Sequence, residues 1–338
     1  MRFHVLMVRF SSLGDVVLQT SVIQWLKQQH GDRLRITFVT SKEFAALVEG
    51  HPYVHRVLKF DRRGGKLKGL AREIRALEET DPVDLLIDLH GTTRSLLLRW
   101  MLPHLPRLVV EKSRAARFFL LRLPWAWPKR FWSRRPHVER VPRDWQGILL
   151  APFEKTNVPR TFAPPAPMPT HPRPYLVFSP VASFEPKRWP IEHFVELARL
   201  TLADARFAGH DLVVLGGKGD DYCRAFDALQ DPRLVNLQGK TSLAESAGWV
   251  RQARLVVGND SGMNHLAETN EVPVVTLFGP THEAFGFVPH LPRSRTLSVE
   301  LWCRPCSPTG KRPCFRSEQF CFTAITPAHV LQAMGEAW

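Results

Sequence analysis

Short apolar runs alternate along this chain with longer stretches whose apolar positions recur at helical spacing. Residues 3–8 read as a strand, Arg9-Phe10-Ser11-Ser12-Leu13-Gly14 as a loop, and Asp15 opens a helix with Val16, Val17, Ile23 and Leu26 on one face. Strands follow at Ile36–Val39 and Arg56–Phe60, then a helix over 67–79 and a strand at Asp84–Leu89 that ends in His90-Gly91-Thr92. After a proline-rich stretch the alternation restarts. It predicts strands at Tyr175–Ser179, Asp211–Leu215, Leu234–Asn236, 254–257 and Val274–Phe278, with helices over 191–203, 219–229 and 242–252. Such alternation predicts an α/β protein with two Rossmann-like, doubly wound domains of mostly parallel sheet. The boundaries fall at 1–156 and 175–325. Residues 157–174, with Pro164-Pro165 and Pro167, read as a semi-rigid linker, and 326–338 as a C-terminal helix that could pack back on the first domain. Ligands of such sheets bind beyond the carboxyl ends of the strands, so the two domains are expected to face a central cleft.

Three strand ends carry residues suited to chemistry. Leu255-Val256-Val257 is a buried-strand run broken by Gly258 and Asn259, and Asp260-Ser261-Gly262 supply helix-capping residue types before Met263, Leu266 and Ala267. A strand entering an abrupt helix start presents unpaired N–H groups and a positive dipole end, which suit a phosphate. An ordinary capped turn is the plainer alternative. In the first domain, Gly14 permits close backbone approach, and Asp15 could act as a general base or simply cap its helix. Neither a Walker motif nor Gly-x-Gly-x-x-Gly is present there, which weakens a nicotinamide-binding reading. In Ser179–Pro190, small residues leave room for a phosphate that Lys187 could reach, and Pro190 suits the first helical position. The alternative is an exposed basic turn with Trp189 packed on the helix.

Composition adds three constraints. The 338 residues fit two domains, and 46 Lys+Arg against 32 Asp+Glu leave a net charge of +14. From 94 to 143 the chain is basic and aromatic, which fits an anionic membrane surface. Nucleic acid would fit the same composition, but no nucleic-acid-binding motif accompanies it, and no such partner is expected. With no secretory signal and no window of membrane-spanning length, the expected location is cytoplasmic. Finally, Cys303, Cys306, Cys314 and Cys321 could form a tetrahedral zinc site, with Arg304, Lys311, Arg312 and Arg316 favouring thiolates. A reduced, packed loop is the preferred reading, with no metal in the chemistry.

Taken in order, Val-Arg-Phe-Ser-Ser-Leu-Gly-Asp, Lys-Arg-Trp-Pro, Leu-Gly-Gly at 215–217, Asn-Asp-Ser-Gly-Met-Asn-His at 259–265 and Leu-Phe-Gly-Pro-Thr at 277–281 resemble the ADP-heptose:lipopolysaccharide heptosyltransferase family. The cysteine-rich tail is most similar to that of the second-heptose-adding members. The resemblance implies the GT-B architecture, an acceptor-binding first domain and a nucleotide-sugar-binding second one. It implies metal-independent, inverting transfer of heptose from ADP-heptose to the anionic inner core of a lipopolysaccharide precursor, by an enzyme peripheral on the cytoplasmic face of the inner membrane. Asp15 then matches the general base and Lys187 the lysine that neutralises the diphosphate. Ser261 and Gly262 match the helix start that holds it, Asp260 lies on the donor sugar, and Ser11, Ser12, Gly14, Ser183 and His265 are further donor-site candidates. The chain departs from the pattern at Thr20-Ser21, where relatives have proline, and at His90, where glutamine is common. No residue matches the acid that holds the donor ribose. Another nucleotide-sugar on the same fold, or a non-catalytic glycolipid-binding relative, are the alternatives.

Overall fold

A computed structural model describes residues 3–110, 121, 166–285 and 287–338. Most of the basic-aromatic stretch beyond 110, and 157–165 of the expected linker, lie outside the described residues. The chain divides into two units.

The described part of the first unit runs β1 (Phe3–Val8), α1 (Leu13–His30), β2 (Leu34–Ser41), β3 (Arg56–Phe60), α2 (Leu67–Thr80), β4 (Leu85–Asp88), α3 (Thr93–Met101) and β5 (Arg107–Val109). All the strands are parallel, in the order β3-β2-β1-β4-β5. β1 is central, and Val5, Leu6, Met7 and Val8 are all buried, as expected of a parallel strand covered on both faces. Its flanks explain the apolar faces of α2 and α3: Leu70, Ala71, Ile74 and Leu98 join Leu6, Val8 and Leu86 in one core. The chain reverses its winding between β1 and β4. The loops after those two strands therefore sit at the topological switch point, where such sheets bind ligands.

The second unit comprises β6 (Tyr175–Ser179), α4 (Ile191–Ala203), β7 (Asp211–Val214), β8 (Leu234–Asn236), α5 (Leu243–Gln252), β9 (Val256–Asn259), α6 (Gly262–Thr269), β10 (Val274–Phe278), β11 (Arg295–Ser298), α7 (Phe320–Thr323) and α8 (Pro327–Ala337). Its parallel sheet has the order β11-β10-β9-β6-β7-β8, the doubly wound Rossmann order, with the switch point between β6 and β9.

Two expectations are corrected here. The stretch 219–229 forms a 3-10 segment, Asp221–Leu229, held to the sheet by Cys223 and Phe226 rather than a full α-helix. Gly258 and Asn259 continue β9 instead of ending it, because both remain in register with Thr276 and Leu277 of β10. Val330, Ala333, Met334 and Ala337 of the C-terminal helix α8 enter the second unit's own core beside Phe194 and Leu197 of α4. The described end of the proline-rich stretch is likewise packed on this unit. His171 bonds Asp211 at 2.8 Å with its ring against Tyr175 and Trp249, and the Pro167 carbonyl lies where a Cβ on Gly248 would go. Among the described residues, no helix is long and apolar enough to cross a membrane.

Candidate functional site

In the first unit the site is the loop between β1 and α1. Helix α1 begins at Leu13, so Asp15 is its third residue and Ser12 its N-cap; Asp15 is not the cap itself. The Ser12 backbone N–H (3.2 Å) and hydroxyl (2.9 Å) both donate to Asp15 Oδ2, the reciprocal half of a capping box. Arg9 ion-pairs with the same oxygen and donates its other terminal nitrogen to the Leu89 carbonyl, at the end of β4. Thus the direction of the Asp15 side chain is set by Ser12 and, through Arg9, by the end of β4. Ser11 is half-buried and Ser12 exposed beside it, while Gly14 is buried. Beneath this loop Asp88 is fully buried. It accepts from the His90 and Gly91 N–H groups at 2.9 Å each and pairs with Arg99 at 3.1 Å.

In the second unit the loops after β6 and β9 meet. Asn259 ties them: its Nδ2 donates to the Pro180 carbonyl at 2.6 Å, and its Oδ1 accepts from the Trp189 N–H at 2.9 Å. Asn264, buried in the first turn of α6, donates to the Asn259 carbonyl (3.0 Å) and to Thr276 Oγ1 (2.8 Å). Gly258 is required between them, since a Cβ there would stand 2.8 Å from both the Ser179 carbonyl oxygen and Asn264 Oδ1. These bonds explain the two asparagines of the motif as fasteners of the βα turn rather than ligand groups.

That turn carries the charges. Lys187 Nζ lies 2.7 Å from Asp260 Oδ2, and Thr281 Oγ1 donates to the same oxygen at 2.8 Å. Burial would raise the Asp260 carboxyl, but Lys187, His265 and the Thr281 hydroxyl outweigh it and hold the group below the ordinary carboxylate range. So Asp260 is ionised, and its first visible task is to aim Lys187. Ser261 occupies the N-cap position of α6 with extended backbone, yet its hydroxyl does not bond the helix. Among the described residues its Oγ is buried without a hydrogen-bond partner, as is Ser179 Oγ at the end of β6. Buried hydroxyls are almost always bonded, and a helix N-terminus is suited to an anion, so these two hydroxyls are candidates for ligand contacts. His265 is buried one turn into α6, its ring 5.7 Å from that of Phe287. Ser183 is exposed on the β6 loop.

Sequence reasoning passed over three groups. Arg9 and Thr281 lie inside quoted motifs, but only the fold shows which carboxylate each one touches. Glu268, buried on α6, accepts from His290 N–H (2.7 Å) and Nδ1 (2.6 Å), Leu291 N–H (3.1 Å) and Ser294 Oγ (2.7 Å), and so locks the helix from behind. Burial raises its carboxyl, but the His290 and Ser294 bonds more than reverse this.

The four cysteines of the tail do not converge. Among the described residues, no three His, Cys, Asp or Glu side chains are grouped as a metal would need. Nor are basic neighbours the controlling influence on Cys321: burial pushes its thiol up to about 11, against a smaller opposing pull from Gln319 and Arg304.

Comparison with known proteins accords with this geometry. Residues 70–314 match the model of glycosyltransferase family 9 (heptosyltransferase). The chain is 28% identical to lipopolysaccharide heptosyltransferase 1 of Pseudomonas aeruginosa, in an alignment covering 98% of each. It is 25% identical over 313 residues to lipooligosaccharide heptosyltransferase 2 of Haemophilus ducreyi, covering 83% of this chain and 84% of the relative. Its fold matches the E. coli heptosyltransferase solved with ADP-2-deoxy-2-fluoro heptose, with a TM-score of 0.70 at 22% identity over 99% of this chain and all of that one. With two parallel-sheet units and a family match over most of the length, the chain belongs to glycosyltransferase family 9, the heptosyltransferases.

Proposed function

We propose that the protein is an inverting heptosyltransferase that moves a heptose from ADP-heptose to the inner core of a lipopolysaccharide precursor. The observation that carries the donor half of this reading is the Lys187–Asp260 pair beside the orphan Ser261 hydroxyl at the start of α6. An acceptor hydroxyl attacks the anomeric carbon opposite the diphosphate and its proton passes to the Asp15 carboxylate. The bond from carbon to the β-phosphate oxygen breaks, and its electron pair leaves with ADP. The transition state is oxocarbenium-like, so positive charge builds on the sugar while negative charge builds on the leaving group. Lys187 and the α6 N–H groups stabilise that negative charge without a metal. Asp15, oriented by Ser12 and Arg9, accepts the proton at the other reacting oxygen. The net charge of +14 and the Trp- and Arg-rich stretch over 94–143 support peripheral binding on the cytoplasmic face of the inner membrane, where the anionic acceptor is anchored.

A transfer assay with a heptose-deficient core acceptor tests this reading directly. ADP-heptose should be turned over in the presence of EDTA, and UDP- and GDP-sugars should not. Turnover only with another nucleotide-sugar would replace the donor, and glycolipid binding without any transfer would replace the enzyme.

The orphan hydroxyl supplies a second check. Ser261→Ala should leave the melting temperature of the free protein essentially unchanged, because no bond is lost. ADP affinity should fall about tenfold, the effect of one hydrogen bond to a charged group. Unchanged ADP affinity in a calorimetric titration would remove Ser261 from the donor site.

A further inference from the structure

The cysteine-rich segment has no place in the chemistry described so far, yet it is fastened on both sides of the charged pair. At one end Arg304 is buried, and its guanidinium donates to three carbonyls: Gly279 at 2.6 Å, Val299 at 2.5 Å and Thr281 at 3.0 Å. Next to it the Cys306 N–H donates to the Pro280 carbonyl at 3.2 Å. At the other end Gln319 Nε2 donates to the Pro186 carbonyl at 2.6 Å, one residue before Lys187. Between these anchors the loop passes over the lysine itself. Gly310 has φ +75°, and a Cβ there would run into Lys187 Cγ and Cδ.

We propose that Arg304 is a positioning residue for Lys187, and that the segment from 303 to 319 is the wall of the donor site that it holds in place. The chain of contacts is short. Arg304 fixes the Gly279–Thr281 turn, Thr281 fixes Asp260, and Asp260 aims Lys187. A fork-shaped guanidinium can hold three carbonyls at once, and lysine has no equivalent geometry. From the other side, the backbone of Gly310 lies against the lysine stem, where a Cβ would collide with Cγ and Cδ. This inference rests on Lys187 as the diphosphate lysine.

The test uses the full chain, with ADP binding by calorimetry and steady-state transfer from ADP-heptose. Arg304→Gln should weaken ADP about tenfold and raise the donor KM by a similar factor, with the acceptor KM unchanged. Combined with Lys187→Ala it should add no further loss of ADP affinity, since both changes act through one side chain. Gly310→Ala, which also strains a backbone at φ +75°, should produce a donor defect in the wild-type background and a smaller one in Lys187→Ala, where the colliding Cγ and Cδ are gone. Should Arg304→Gln not fold, Thr281→Val breaks the same chain one contact further on and carries the comparison. Losses that add to that of Lys187→Ala, or a fall in stability with unchanged donor KM, would overturn the proposal. An ADP affinity indifferent to Lys187→Ala would instead overturn the reading of Lys187, and so separates the two failures.

Discussion

Asp15→Ala should slow heptosyl transfer about a thousandfold, the middle of the range for loss of a positioned general base. The reason lies in how the carboxylate is held. Its Oδ2 accepts from both the backbone and the hydroxyl of Ser12 and pairs with Arg9, and Arg9 is itself anchored to the end of β4. Such a group has a set direction, whereas a surface aspartate serving only as a cap does not. As part of a capping box it also stabilises α1, so alanine should cost about 1 kcal/mol of folding free energy. That is too little to account for a thousandfold loss of rate. Binding of ADP alone should be unaffected, because Asp15 is assigned to the acceptor oxygen. A stopped assay together with an ADP titration on the same preparation checks both halves. Retained turnover would end its assignment as base.

Lys187→Met should have the other large effect, and here stability and catalysis change together. The substitution leaves Asp260 buried without its cation, and breaking a buried pair by removing one partner costs about 3–5 kcal/mol. The pH dependence should change sign. In the native protein the Asp260 carboxyl is held below its ordinary value. Its contribution to stability is therefore complete above the unfolded value of about 3.9 and is lost as the pH falls through the lowered folded value. Without Lys187, burial becomes the dominant influence and pushes the carboxyl above that ordinary value. The variant should then gain relative stability as the pH falls and lose it as the pH rises through the raised folded value. Adding Asp260→Asn should restore most of the stability while transfer stays about a hundredfold or more below wild type, the scale for losing a charge aimed at a transition state. Thermal melts between pH 4 and 8, with transfer rates on the three proteins, separate the two roles. If the double variant regains activity along with its stability, Lys187 is structural.

Much of this architecture can be read from side-chain pattern. Central strands such as Phe3–Val8 and Val274–Phe278 are buried on both faces, so their sequences are continuous apolar runs bounded by turn residues. The edge strands β5 and β11 escape such reading. Arg107–Val109 and Arg295–Ser298 are short and partly exposed, so charged residues occupy positions that would be apolar in a central strand. The 3-10 geometry of Asp221–Leu229 is hidden for a related reason: it shares its pattern of buried Cys223 and Phe226 with an α-helix, and the sheet beneath it decides between them.

By itself the sequence determined two Rossmann-like domains, most of their strands, and a set of ordered motifs containing Asp15, Lys187 and Asp260. Those follow from local rules, in which burial on two faces demands apolar runs and sharp βα turns demand glycine, serine and aspartate. Tertiary structure alone decided which side chains act together. Arg9, already beside Asp15, reaches the Leu89 carbonyl because β1 is adjacent to β4, and Lys187 meets Asp260 because β6 is adjacent to β9. The cysteine-rich tail reaches Lys187 from more than a hundred positions away through hydrogen bonds to carbonyl groups, which every residue carries. A contact made to the backbone leaves no mark in the partner's side chain, and so only the fold could disclose it.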